Sequence, residues 1–111
     1  MKIKTNTIIK NLEGKDYTTV KGGKEEKLTL GDVLFGSLNN ATGIELKVSW
    51  ALLPLLASDN KEIELSSEQT DALIKSIEQA ARLPGEQRYN LVVYGKVLDI
   101  LNGVVENPKK K

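Results

Sequence analysis

The segment from Ile44 to Ala57 constrains the fold of this chain more than any other part of its sequence. It contains the single tryptophan, Trp50, and a run of ten residues from Val48 to Ala57 that carries no charge. In a water-soluble protein such a run needs a cover of other residues, because a large exposed apolar patch favours association. We therefore expect the rest of the chain to pack around this segment.

A helix is the structure that the segment favours. Thr42 and Glu45 have the spacing of a capping box, which predicts that the helix begins near Thr42. Apolar residues then recur on nearly all sides of the helix, a pattern typical of a helix at the centre of a domain. Pro54 lacks a backbone N–H and crowds the carbonyl of Trp50, so we expect two helical segments that meet at Pro54.

The composition limits the chemistry available to the chain. Its 111 residues suffice for one modest core, and the hydrophobic fraction of 40% is ordinary for a globular domain. It has neither cysteine nor histidine, so it lacks the usual zinc ligands, the usual thiol nucleophile and the usual general base at neutral pH. We therefore expect a protein that is not an enzyme and that holds no metal and no cofactor.

The same sequence predicts a soluble, cytoplasmic protein. The N-terminus has basic residues but no continuous apolar stretch of the kind found in secretory signals. The uncharged run from Val48 to Ala57 has about half the length that a membrane-spanning helix requires. We expect no contact with a membrane.

The N-terminal part is rich in β-branched residues and predicts a hairpin. Residues 4–10 and Tyr17–Val20 are the expected strands, joined by a turn at residues 12–15. A second turn at Gly22-Gly23 leaves either two strands or a third short one near residues 26–28. Further along, residues 62–65 alternate between acidic and apolar side chains, which predicts an extended piece beside this hairpin.

Three further helices are predicted outside the central segment. Thr29 and Asp32 mark the start of a helix that ends at residues 39–40, and Ser66 and Gln69 form a capping box that starts another. Residues 91–102 are compatible with a strand or a helix, and their length and the flanking residues favour a helix. Gly95 within it predicts a close approach by another helix.

Together these elements predict an α+β fold, with an N-terminal β-hairpin and perhaps a third strand packed on about four helices. One compact domain covers residues 1–103, with the hairpin at about 4–28 and the helical part at about 29–103. Residues 104–111 form a disordered basic tail. The predicted core comprises Val48, Trp50, Leu52, Leu53, Leu56, Leu73, Ile77, Leu98 and Leu101.

Charge is distributed unevenly and raises the possibility of a nucleic-acid contact. Residues 1–27 carry seven lysines against four acids, whereas residues 28–106 carry six basic residues against eleven acids. Lysines suit phosphate contacts that do not read sequence, so binding would be weak and steeply salt-dependent. The candidate contacts are Lys10, Lys15, Lys21, Lys24, Lys27, Lys109, Lys110 and Lys111.

A protein-interaction role is the preferred hypothesis, with self-association through the final helix. That helix has apolar residues on more than one face, in a domain that we expect to be too small to bury them all. The candidate contacts for self-association are Val92, Val93, Val97 and Ile100. Nucleic-acid binding is the alternative, and small-ligand binding at the Pro54 break, lined by Trp50, is a second alternative.

The order of four segments resembles that of small proteins encoded by bacteriophage and prophage genomes. The segments are IIKNLEG, LTLGDVL, EIELSSEQTDALIKSIEQA and VVYGKVLDIL. The resemblance covers most of the chain and includes no catalytic motif, so it assigns no functional residue. It implies a virus-encoded binding or assembly protein that acts in the cytoplasm of a bacterial host.

Overall fold

In a computed structural model the described residues form two small antiparallel sheets and four α-helices. The structure describes residues 1–57 and 62–103. In chain order the elements are β1 (Lys2–Ile3), β2 (Thr18–Lys21), β3 (Lys24–Lys27), α1 (Leu30–Asn39), α2 (Leu46–Ala57), β4 (Ile63–Glu64), α3 (Ser67–Ala80), a 3-10 turn (Gly85–Gln87) and α4 (Leu91–Leu101). The predicted α+β class, with an N-terminal hairpin and four helices, is confirmed.

Three N-terminal segments meet in a closed ring of backbone hydrogen bonds. The N–H of Ile9 donates to the carbonyl of Leu28 (2.9 Å), that of Leu28 to Tyr17 (2.9 Å) and that of Tyr17 back to Ile9 (3.0 Å). Beyond the ring, β2 and β3 continue as a hairpin that turns at Gly22-Gly23. Both glycines have positive φ, as a two-residue type I′ turn requires.

The ring explains why the strand predicted over residues 4–10 does not form as a continuous element. Only single bridges occur there, Ile8 with Thr29 and Lys10 with Asp16. The N–H of Ile9 binds the segment of Leu28, whereas its carbonyl binds the segment of Tyr17. Because residues 4–10 divide their hydrogen bonds between these two segments, they do not pair with either one over their full length.

Strand β4 lies within the predicted extended segment, but it does not lie along the hairpin. It pairs antiparallel with β1, so that Ile63 is opposite Ile3. Both isoleucines are buried, whereas every residue of β3 is exposed. The apolar side chain of β4 therefore reaches the core beside β1 and not beside the charged hairpin.

Helix α1, and not α2, is at the centre of the helical part. It packs against α2, α3 and α4, and Leu30, Val33 and Leu34 are completely buried. Near its start α1 comes close to α2: a Cβ atom on Gly31 would lie 3.2 Å from the carbonyl oxygen of Leu56. The predicted close approach at Gly95 is wrong, because nothing lies near the position of a Cβ there.

The predicted starts of the other helices are confirmed. Thr29 with Asp32, and Ser66 with Gln69, form complete capping boxes at α1 and α3. The ambiguous last segment is a helix, and the side chain of Asn90 accepts hydrogen bonds from the backbone N–H groups of Val92 and Val93 in its first turn. These local signals succeed because a cap satisfies donors that the helix itself leaves without partners.

Helix α2 differs from the prediction at its start and at its proline. It begins at Leu46 and not near Thr42, because Gly43 adopts a φ of +75°, which ends any helix there. It also continues through Pro54 to Ala57 as one helix. Pro54 and Trp50 both lie on the exposed side, so water can hydrate the carbonyl that Pro54 leaves without a donor.

The core agrees with the prediction at six of the nine predicted residues. Leu53 and Leu98 are half-buried, and Trp50 is 70% exposed, so its predicted place in the core is wrong. The remaining predicted core residues are buried: Val48, Leu52, Leu56, Leu73, Ile77 and Leu101. Trp50 is exposed because α2 lies at the edge of the helical part, where α1 and α3 cover only one of its sides.

Candidate interaction surface

The side of α2 that faces away from the core is apolar and uncovered. We call it the α2 outer face and define it by six exposed residues: Leu46, Lys47, Trp50, Ala51, Pro54 and Ala57. Lys47 is its one charged member, and the half-buried Leu53 lies at its edge. The opposite side of the helix holds the only buried residues of α2, which are Val48, Leu52 and Leu56 at helical spacing.

Two large side chains dominate the α2 outer face. Leu46 is 77% exposed and Trp50 is 70% exposed, and they are one helical turn apart. With Glu45 and Lys47 they line a shallow, mainly apolar depression of about 810 Å³. Tryptophan is among the residue types most enriched at the energetic centres of protein interfaces, so this pair has the composition of a binding site.

The loop before α2 is fastened to α3, which fixes the direction in which the α2 outer face points. The side-chain amide of Gln79 accepts a hydrogen bond from the backbone N–H of Thr42 (2.9 Å) and donates one to its carbonyl (2.7 Å). Lys75 donates to the carbonyl of Gly43 (3.0 Å). The start of α2 is therefore held by α3 as well as by its own core contacts.

A cleft of about 770 Å³ lies between the hairpin, the start of α1 and Tyr89. Lys21 crosses it to the carboxylate of Asp32 (2.8 Å), which also caps α1. Burial raises the pKa of Tyr89, so this phenol stays protonated at neutral pH. Among the described residues, these three are the titratable side chains that line the cleft. Because the lysine and the carboxylate are paired to each other, the three do not form an acid–base or nucleophilic pair.

Three of the lysines predicted to contact nucleic acid are paired with carboxylates. Asp16 lies between Lys10 and Lys27 and binds both, and Lys21 binds Asp32. Hydrogen bonds to its carboxylate lower the pKa of Asp16, with the larger effect from Lys10 and the smaller from Lys27. Lys15 and Lys24 are exposed, and Lys109, Lys110 and Lys111 lie outside the described residues. Three of the five candidate lysines within the described residues are thus neutralised by neighbouring carboxylates.

The residues predicted to mediate self-association have mixed positions on α4. Val93 and Val97 are buried in the core, so they are not accessible to a partner. Val92 and Ile100 are half-buried. The domain buries more of α4 than we expect from its size, although Leu91 at its start is 58% exposed. On α2, by contrast, two large exposed apolar residues, Leu46 and Trp50, lie one helical turn apart.

The described residues offer little to support the other classes of site. Within residues 1–57 and 62–103, no group of three or more acidic side chains is placed to hold a metal ion. In the same ranges, no helix is long and apolar enough to cross a membrane. Comparisons with protein-family models, with curated proteins and with solved structures found no match to this chain.

Proposed function

We propose that this chain is a small non-enzymatic interaction or assembly protein that binds a protein partner through the α2 outer face. The observation that carries the proposal is the exposure of Leu46 and Trp50 side by side on a helix whose other side is in the core. Single exposed apolar residues are common on proteins and need no explanation. A nearly continuous apolar face around the only tryptophan does need one.

Covering Trp50 would contribute substantially to a contact at this face. An aromatic side chain can bury about 150–250 Å², and Trp50 still exposes 70% of its surface. Covering the remainder removes about 100–175 Å² from water, a gross gain of about 3–4 kcal/mol. The entropy lost on association is at least as large as this gain, so Leu46 and the rest of the face must contribute as well.

The alternatives have weaker support. Nucleic-acid binding by the hairpin is disfavoured because three of its lysines already neutralise carboxylates. Small-ligand binding at Pro54 is disfavoured because α2 is unbroken there. The resemblance to proteins of phage and prophage genomes is compatible with an assembly role, and we retain that setting as part of the proposal.

Site-specific photo-crosslinking in the cells that naturally make the chain tests the proposal. A photoreactive phenylalanine derivative replaces Leu46 in one variant and Leu12 in a matched control. Leu12 is 79% exposed, close to the 77% of Leu46, but it lies in the loop between Lys10 and Asp16. We expect covalent protein adducts from position 46 and not from position 12.

The adducts separate the outcomes. A defined adduct band specific to position 46 supports binding through the α2 outer face, whatever the mass of the partner. Equal adducts from both positions, or none from either, would contradict it. Substituting Trp50 with alanine in the position-46 variant should remove the band, because it removes the larger of the two apolar contacts.

A further inference from the structure

We infer that the occupant of the α2 outer face is a second copy of this chain, whose own α2 packs antiparallel to the first about a two-fold axis near Trp50. This inference deepens the proposed function and rests on it. In such a symmetric interface the same surface serves both copies, so it must complement itself. The composition and charge of α2 meet this requirement.

The apolar surface of α2 is divided between two sides. A helix that is hydrophobic all round is normally buried all round. Within one chain, the core covers only the side that carries Val48, Leu52 and Leu56. A second α2, itself apolar on its outer face, supplies the missing cover and receives the same cover in return.

Lys47, the one charged residue within α2, is unfavourably placed in a single chain and favourably placed in an antiparallel pair. Lys47 lies in the first turn, where the positive end of the helix dipole repels it, and the acid nearest to that end is Glu45, just before the helix begins. The last turn has no basic residue to complement its negative end. Antiparallel packing brings Lys47 of each copy beside the last turn of the other, and it sets the two dipoles in opposite directions.

The register follows from the position of the axis. With Trp50 of each copy at the axis, Lys47 of one copy lies beside Pro54 of the other, and Leu46 lies beside Leu53. The two indole rings then meet at the centre, where aromatic residues contribute most to an interface. Lys47 of each copy stays at the rim of the interface, in contact with water.

The size of the face determines how strong the pair is. Twelve residues of helix extend about 18 Å and present a face about 10 Å wide. The area of a face of this length and width is well below the approximately 800 Å² that each partner buries in a standard stable interface. The dimer is therefore a reversible one that dissociates on dilution.

Sedimentation equilibrium of the full chain from about 1 µM to about 1 mM tests the inference. We expect the average mass to rise from one copy towards two over this range. Leu46→Glu should weaken the dimer by more than about 100-fold, because it removes an apolar contact from both halves of the interface. Leu12→Glu, which adds the same charge at a similarly exposed position, should leave the dimer unchanged.

Lys47→Glu provides a test with opposite effects on two readouts. In the single chain it places an acid at the positive end of α2, so thermal stability measured on dilute protein should be unchanged or higher. In the dimer it places an acid beside the negative end of the other helix, so dimerisation should weaken by about tenfold. Dimerisation that is unchanged or stronger would overturn the antiparallel arrangement.

Cysteine cross-linking tests the register, since the chain has no cysteine of its own. Mixed Lys47→Cys and Pro54→Cys chains should form a disulfide under mild oxidation, and neither variant should form one alone, because their own copies lie too far apart. A strict monomer at about 1 mM, or no mixed disulfide, would overturn the inference. If position 46 still cross-links a different protein in cells, the proposed function survives that result; if it gives no adduct, both fail.

Discussion

Replacing Trp50 with alanine should cost the fold little, whereas replacing Leu52 with alanine should cost it much. The two residues are two positions apart on α2, but Trp50 is 70% exposed and Leu52 is completely buried. Their comparison tests directly which side of α2 faces the core. The sequence alone favoured the opposite expectation for Trp50.

The magnitudes follow from the surface that each side chain has already buried. Trp50 has lost only about 30% of its exposure, or roughly 45–75 Å² for a side chain of its size, which corresponds to about 1–2 kcal/mol. The higher helix propensity of alanine returns about 0.5 kcal/mol. The net cost should therefore be about 1 kcal/mol. Leu52→Ala loses its whole transfer energy and leaves a cavity, at about 2–5 kcal/mol.

Urea unfolding followed by circular dichroism, on protein dilute enough to exclude association, measures both values. Circular dichroism is preferable to fluorescence because one variant lacks the only tryptophan. If Trp50→Ala destabilises the chain as much as Leu52→Ala, the indole is buried and the α2 outer face does not exist as described. If Leu52→Ala has no effect, α2 does not pack on the core through that side.

Three other changes test how the neighbouring structure is held. Gly43→Ala should cost about 1 kcal/mol or more in thermal unfolding, because φ there is +75° and Lys75 lies close by. Thr29→Ala should cost about 1 kcal/mol by removing the cap of α1. The pKa of Asp16 is lowered in the fold, so its stabilising effect is complete above its ordinary value of 3.8 and is lost as the pH falls below it. Asp16→Asn should remove that part of the acid dependence of the melting temperature, and an unchanged pH profile would contradict the ion pairs.

Local sequence signals predicted local structure well. The helix cap at Thr29, the capping box at Ser66 and the double-glycine turn are confirmed, because each depends on residues within a few positions of one another. Thr42 had the same spacing to Glu45, yet it caps nothing. Its backbone is bound by Gln79, a residue distant in sequence, and no local pattern contains that information.

The candidate surface could not be predicted because hydrophobicity does not say what covers a residue. The all-round apolar pattern of α2 predicts a central position within one chain. The structure gives that position to α1. The same pattern is also produced by a helix that is covered on one side by its own core and on the other by a partner, and only the three-dimensional arrangement distinguishes the two.

The most direct test of the account is a fluorine NMR measurement on protein labelled with 5-fluorotryptophan. The chain has one tryptophan, so the spectrum reports Trp50 alone. In dilute protein we predict a shift between H₂O and D₂O close to that of the free amino acid, because the indole is exposed. As the concentration rises, the shift should shrink while Trp50 is covered by the second copy. A solvent shift that is absent in dilute protein would contradict the exposure of Trp50, and one that stays full at every concentration would contradict its role in association.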